Sequence, residues 1–329
     1  MKAQAVRFYD AHPGPADLCR EVVDGLATAP RAVPPKFFYD ERGSALFDRI
    51  CDLPEYYQTR TEMAILGRAL PDLVQLVGAE CLLIELGSGA SRKVRLLLEE
   101  LRPHAYVGVD ISREFLLAST ETLAGDYPWL QVHAACVDFS NGLDIPHVAP
   151  VAHKVAFFPG SSIGNFDPAD AECLLRDIGG MVGHGGQLLI GVDLKKPVGL
   201  LNAAYNDAAG VTAAFNRNLL HRIRSELDSD VQPESFDHYA FYNPAYSRIE
   251  MHLVSRVRQD VQIEDSVFRF APGDSIHTEN SYKYTVDEFA ALAAGAGFHQ
   301  QAVWVDDHAL FSVQLLRYHA PDHLPHAAA

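Results

Sequence analysis

Long apolar runs are missing from this chain of 329 residues. None approaches the roughly 20 residues needed to cross a bilayer, and the opening MKAQAVRFYDAHPGP lacks the apolar core of a secretory signal. A cytoplasmic location is therefore the expectation. Cysteine is scarce and scattered: Cys19, Cys51, Cys81, Cys136 and Cys173, with no CxxC pair. That pattern excludes a disulfide framework and the familiar zinc signatures, so reduced thiols and no metal are expected. Positive charge is in deficit too, with 27 Lys and Arg against 43 Asp and Glu and a formal net charge of -16. A phosphate backbone or an anionic membrane would be repelled by that field, which excludes nucleic acid and membrane as expected partners. A small cationic ligand suits it better. No docking helix or exposed apolar run stands out, which points to a monomer. The final APDHLPHAAA (320–329) is expected to be a disordered tail, and the spacing of His319, His323 and His326 is read as incidental.

What is present is an ordinary globular balance, 48% hydrophobic and 21% charged, in a chain long enough for one large domain or two smaller ones. Strand-like runs at Cys81–Gly87, Ala105–Ile111, Gln131–Phe139, Lys154–Pro159 and Gln187–Leu194 alternate with helical patterns such as Ser91–Leu101 and Ala169–Met181. Apolar strands alternating with amphipathic helices make βαβ units, hence an α/β fold with a parallel sheet covered on both faces. After Leu194 the pattern changes and aromatics accumulate, from Tyr205 to Tyr246. A helix over Thr285–Ala296 and strands over Gln301–Val305 and Leu310–Tyr318 then complete the first sheet. The expected division is 61–195 with 284–319 as one domain, and 8–60 with 196–283 as a second, α+β lobe.

Open parallel sheets bind ligands at the carboxyl ends of their strands. Three such ends here carry acids or glycines in a telling order. Glu85-Leu86-Gly87-Ser88-Gly89-Ala90-Ser91 is a strand, a glycine turn and a helix start; taken alone, it could be only a tight turn. Asp110 ends the next strand, where a carboxylate can accept both hydroxyls of a ribose, or merely cap a helix near Ser112. Asp138-Phe139 ends the third, offering an acceptor for an adenine amino group and a ring for its face. Together they read as an adenosine site. Arg92 stands where a dinucleotide fingerprint has its third glycine. With the third acid and the two late strands, this favours S-adenosylmethionine (SAM) over a nicotinamide dinucleotide.

Gly160-Ser161-Ser162-Ile163-Gly164 also matches the G-x-S-x-G of a hydrolase elbow. In an elbow the helix begins at once after the serine. Here Asp167-Pro168 sets a helix start about five residues late, and His184-Gly185-Gly186 follows the serine instead of preceding it. A serine hydrolase is rejected on both counts.

Six separated stretches carry a family likeness: PPKFFYDERGSALFDRICDLPEYYQTRTE (34–62), ELGSGASRK (85–93), PGSSIGNF (159–166), AYNDAAGVTAAFNRN (204–218), RIEMHL (248–253) and TENSYKY (278–284). With these the chain resembles the histidine Nα-methyltransferases of ergothioneine biosynthesis, from about residue 8 to 318. The resemblance implies a Rossmann-like class I methyltransferase sheet with a second, substrate-binding domain. It implies three methyl transfers from SAM to the α-amino group of L-histidine, giving hercynine. It further implies that Gly87, Lys93, Asp110, Asp138 and Phe139 hold the methyl donor. Tyr56, Gly160, Asn165, Tyr205, Glu279 and Ser281 would hold histidine, with Asn280 beside them, Met251 next to the imidazole and Tyr39 close to the reacting nitrogen.

The chemistry fits these residue types. An α-amino group titrates near 8, so a dedicated base is optional and Tyr39 is at most a weak one. A product that becomes a quaternary ammonium suits aromatic walls; Tyr39, Tyr56 and Phe215 are candidates, whereas Phe47 is read as core. Asn165 and Tyr205 can donate to a carboxylate, and Glu279 can accept an imidazole N–H; by spacing alone, each reads equally as local structure. Two other readings stay open at this point: an N-methyltransferase for another amine such as tryptophan, and a noncatalytic SAM-binding protein.

Overall fold

A computed structural model describes residues 6–11, 15–139, 142, 143, 145, 148 and 153–320. In chain order its elements begin with β1 (Arg7–Ala11), α1 (Pro15–Ala27), α2 (Glu41–Cys51), α3 (Tyr57–Val77), β2 (Leu82–Leu86), α4 (Val94–Leu101), β3 (Ala105–Asp110), α5 (Arg113–Asp126) and β4 (Gln131–Val137). There follow β5 (Lys154–Phe158), α6 (Pro168–Val182), β6 (Gln187–Asp193), α7 (Val198–Tyr205) and α8 (Val211–Glu226). The remainder is β7 (Phe236–Asn243), β8 (Arg248–Ser255), β9 (Gln259–Ile263), β10 (Ser266–Phe270), β11 (Ser275–Tyr282), α9 (Val286–Gly295), β12 (Phe298–Val305) and β13 (Phe311–Tyr318). Apart from Ala320, the expected tail lies outside the described residues.

The chain divides into two compact units, one from Gln58–Lys195 with the strand β1 and the segment from Lys283, the other from Pro13–Tyr57 and Lys196–Tyr282. The first holds an eight-stranded sheet in the order β1-β4-β3-β2-β5-β6-β13-β12. Strands β1 to β6 run parallel, and β13 pairs antiparallel with both β6 and β12. LLIEL of β2 and QLLIGVD of β6 are buried at every position, the signature of strands covered on both faces. Ile65, Leu66 and Leu73 of α3 and Leu97 and Leu98 of α4 pack with Leu83, Phe157, Leu189 and Val313 of the sheet into one core. Strand order reverses between β2 and β5, so the crevice at their carboxyl ends is where such sheets bind ligands.

Residues 8–11 do not belong with the second lobe, where the sequence pattern put them. They lie in β1, which pairs in parallel with β4 from Arg7↔His133 to Ala11↔Val137. Five residues with an exposed, polar edge give no periodicity to read, and only the open edge of β4 recruits them. Gln58 to Arg60 and Lys283 likewise join the first unit, the former because α3 is continuous from Tyr57. Helix α4 starts at Val94, three residues after its expected start, because Ser91 is left-handed at φ +52°.

The second unit has a three-stranded antiparallel sheet, β11-β8-β7, a two-stranded ribbon of β9 and β10, and helices α1, α2, α7 and α8. A bulge between His277 and Glu279 interrupts the β11–β8 register. Alternation along β8 and β11 therefore puts Ile249, Met251 and Leu253 with Ser281, Glu279 and Ile276 on one face. Arg248, Glu250 and His252 share the other with Tyr282, Asn280 and His277.

Candidate active site

In the first unit, the sequence-expected donor residues all stand at the carboxyl ends of adjacent strands. Gly87 follows β2 at φ +69° and Gly89 lies at φ +48°, conformations glycine adopts without strain. A side chain added at Gly87 would meet nothing within 4 Å, so the loop lies open above its backbone. Asp110 ends β3; its Oδ2 accepts from the Gly89 N–H at 2.9 Å and its Oδ1 from the Ser112 N–H at 2.9 Å. Burial raises its carboxyl above the usual value, opposed by those amide bonds. Each oxygen keeps a second lone pair, which is what a ribose diol requires. Asp138 is buried just past β4, and the ring of Phe139 stands 5.8 Å from Phe158 and 6.4 Å from Phe166. An open glycine turn, a diol acceptor and an aromatic wall fit SAM.

Gly160 and Asn165 lie past β5 in the same unit. Gly160 takes φ +80°, and Ser162–Asn165 forms a single 3-10 turn before α6. The Ser162 hydroxyl donates to the Pro159 carbonyl at 3.1 Å and Ser161 Oγ accepts from the Asp193 N–H at 2.9 Å. Both serines secure the turn, and α6 begins at Pro168.

Residues that carry no motif of their own surround this loop. Glu62 of α3, fully buried, pairs with Lys93 Nζ at 2.6 Å and accepts the Gly160 N–H at 3.0 Å on each oxygen. Glu85 of β2 accepts the Tyr106 hydroxyl at 2.6 Å, and burial pushes its carboxyl up to about 8. Lys283 and Asp193 form a fully buried pair at 2.9 Å. Glu62 sits in a polar run, QTRTE, whose composition reads as a solvated helix face. Its only signal is that it closes the first of the six family-like stretches.

In the second unit, Tyr39, Phe47, Tyr56 and Phe215 form an aromatic group. Tyr39 lies 5.8 Å from Phe47 and 5.7 Å from Phe215; Phe47 lies 6.3 Å from Tyr56. Phe215 is backed by Phe38 at 4.6 Å. Phe47, expected in the core, is only half-buried and belongs to this group. Tyr56 lies 6.5 Å from Tyr205, whose hydroxyl donates to Ser281 Oγ at 2.8 Å. Burial, then Tyr205, Cys51, Tyr39 and Glu279 in turn, raise the Tyr56 hydroxyl well above its ordinary value, which keeps it a neutral donor. Glu279, buried, is the cross-strand partner of Met251.

Asn280 is not brought into that group. It pairs with Glu250 on the opposite face of the sheet, because side chains alternate along a strand. That face also presents Glu250, His252 and His277, with one ligand-type atom from each within 4.8 Å of the others. Burial lowers both histidines, favouring neutral rings. Glu250 Oε1, however, holds Arg248 Nη2 at 2.7 Å and Asn243 Nδ2 at 3.0 Å, while Oε2 faces His252 Nε2 at 3.3 Å. A guanidinium on the carboxylate opposes a second cation; Glu250 bonds His252, and the ring of His277 stands 5.0 Å from that of His252.

Sheet order and donor crevice define a class: S-adenosylmethionine-dependent methyltransferases. A methyltransferase of that kind from Clostridium acetobutylicum shares the fold, with a TM-score of 0.50 at 11% identity over 83% of this chain and 98% of that one. Residues 18–318 match the family described as histidine-specific methyltransferase, SAM-dependent. The chain is 40% identical to the histidine N-alpha-methyltransferase of Mycolicibacterium smegmatis and 37% identical to that of Mycobacterium tuberculosis, in each case across 96% of this chain and 99% of the relative. The chain belongs to the histidine-specific, SAM-dependent methyltransferase family.

Proposed function

We propose that this protein methylates the α-amino nitrogen of L-histidine three times to give hercynine, with SAM as donor. The observation that carries the reading is the second unit's arrangement of a buried carboxylate, Glu279, on the Met251 face, with the hydroxyls of Tyr56 and Tyr205 and an aromatic group beside them. SAM, when bound, supplies a methyl group on a positively charged sulfur. Gly87, Lys93, Asp110, Asp138 and Phe139 would hold it in the first unit. The histidine-holding residues are divided, with Gly160 and Asn165 in the first unit and Tyr56, Tyr205, Met251, Glu279 and Ser281 in the second.

Glu279 accepts the imidazole N–H, a bond that an amino acid with an apolar side chain cannot donate. Tyr205 donates to the substrate carboxylate by turning its one hydroxyl proton away from Ser281 Oγ, and Asn165 is a second donor of the same kind. The amine attacks in its neutral form; near pH 8 about half is neutral already, so its proton passes to solvent without a dedicated base. As methyl groups accumulate, the nitrogen becomes a permanent cation. Tyr39, Phe47, Tyr56 and Phe215 offer ring faces to it, at roughly 0.5–2 kcal/mol for each well-placed face. Positioning of amine and methyl supplies most of the rate.

The protein is read as acting as a monomer. All five cysteines are free thiols in the structure, which supports the cytoplasm as its location, and among the described residues no helix is long and apolar enough to cross a membrane. The deciding experiment incubates the purified chain with methyl-labelled SAM and a pool of amino acids, followed by mass spectrometry. Three methyl groups on histidine are expected. Methylation of another amino acid, such as tryptophan, or of none, would overturn the reading.

A further inference from the structure

We propose that Glu62 is a positioning residue for methyl transfer, its buried carboxylate fixing the Lys93 ammonium and the Gly160 amide as one unit. The inference rests on the reading that Lys93 holds the donor.

Three separate segments are built around this one side chain. The Lys93 ammonium, from the loop between β2 and α4, lies 2.6 Å from Oε2. The Gly160 N–H, past β5, reaches both oxygens at 3.0 Å. Gly191 of β6 makes the room, since a β-carbon there would stand 2.1 Å from Oε1. Gly160 itself faces Lys93, with a β-carbon position 3.3 Å from Nζ. The Glu62 side chain has no exposure, whereas Lys93 retains 16%, so the pair runs from the interior outward to the glycine turn.

A buried ion pair is weak evidence for stability, because desolvation offsets most of the attraction; fixing geometry is its better-attested use. Here it fixes the direction of Nζ. An ammonium has three donors, and the bond to Glu62 uses one. The others suit the carboxylate that the methyl donor carries on its amino-acid end. Through the Gly160 amide, the same carboxylate sets the turn that carries Asn165.

The test is donor affinity by calorimetry, with S-adenosylhomocysteine as the unreactive probe, on the full chain. Lys93→Met should weaken binding at least about tenfold. Glu62→Gln should weaken it about tenfold, and Glu62→Asp, which keeps the charge, should recover part of that loss. Introduced into Lys93→Met, Glu62→Gln should add less than about twofold, because its effect runs through a lysine already removed. If Glu62→Gln does not fold by near-ultraviolet circular dichroism, Gly191→Ala displaces the carboxylate without changing any charge and should give the same affinity loss. Native affinity in the folded variant, no recovery in Glu62→Asp, or full multiplication of the two losses in the double variant, would overturn the proposal. Unchanged binding in Lys93→Met would instead overturn the donor-site reading on which it stands.

Discussion

Single side chains divide here into those with a chemical signature in the sequence and those without. Asp110 and Asp138 could be read because they end strands at regular intervals after a glycine turn. Tyr205, Glu279 and Ser281 could not be read from spacing; a family likeness alone singled them out, and strand alternation explains why Asn280 parts from its two neighbours. Glu279→Ala is expected to raise the KM for histidine about 10–100-fold, the loss of a hydrogen bond to a charged group, with donor affinity unchanged. Steady-state kinetics with histidine varied, beside calorimetry with S-adenosylhomocysteine, checks both halves. Asp110→Ala should do the reverse, weakening the donor while leaving the histidine site intact. It also removes the acceptor of the Gly89 and Ser112 amides, so Asp110→Asn, which keeps the shape, is the cleaner comparison.

At the scale of elements, the strands of the first unit were legible because they are continuous apolar runs, and β2 to β6 fall within two residues of the expected bounds. The second unit was not. Its strands β7 to β11 are amphipathic, short or twisted by a bulge; β7–β8 and β9–β10 are local hairpins, but β11 reaches back past both β9 and β10 to pair with β8. Helix α8, which carries Phe215, shows what local chemistry does there. Its first turn has free N–H groups, and Asp207 takes two of them, from Val211 and Thr212, at 2.8 Å each. Burial alone would raise the Asp207 carboxyl, but the bonds from Thr212 and Val211 outweigh it and hold it below its ordinary value. A depressed folded value means the cap stabilises above the range where a free carboxyl titrates and is lost as acid protonates it. Asp207→Ala should therefore cost about 1–2 kcal/mol at pH 7, measured by urea unfolding, and the difference from the unmodified chain should shrink toward pH 3. A constant difference across that range would remove the charged cap from the account.

Across the whole molecule, the excess of acid is read in the sequence as a bar to anionic partners, yet part of it is spent inside. Glu62, Glu85, Asp138 and Asp193 are buried and Asp110 half-buried near strand ends of the first unit, with the half-buried Lys93 and the buried Lys283 as counter-charges. Glu85 has the largest consequence. Burial dominates its environment, the Tyr106 hydrogen bond and Lys93 oppose it, and the result is a carboxyl raised from 4.5 to about 8. In the unfolded chain the same group loses its proton near its ordinary value. Between these limits the folded state binds more protons than the unfolded one, so stability falls as pH rises through the window. At about 1.4 kcal/mol per pKa unit, the full effect is on the order of 5 kcal/mol by pH 8. Glu85→Gln keeps the volume and an acceptor for Tyr106 but has nothing to titrate. Its unfolding free energy should decline less between pH 5 and pH 8 than that of the unmodified chain, by an amount of that order, with the two curves diverging steadily across the range. Parallel curves would mean that Glu85 ionises alike in both states, and that the buried end of β2 tolerates a charge its surroundings argue against.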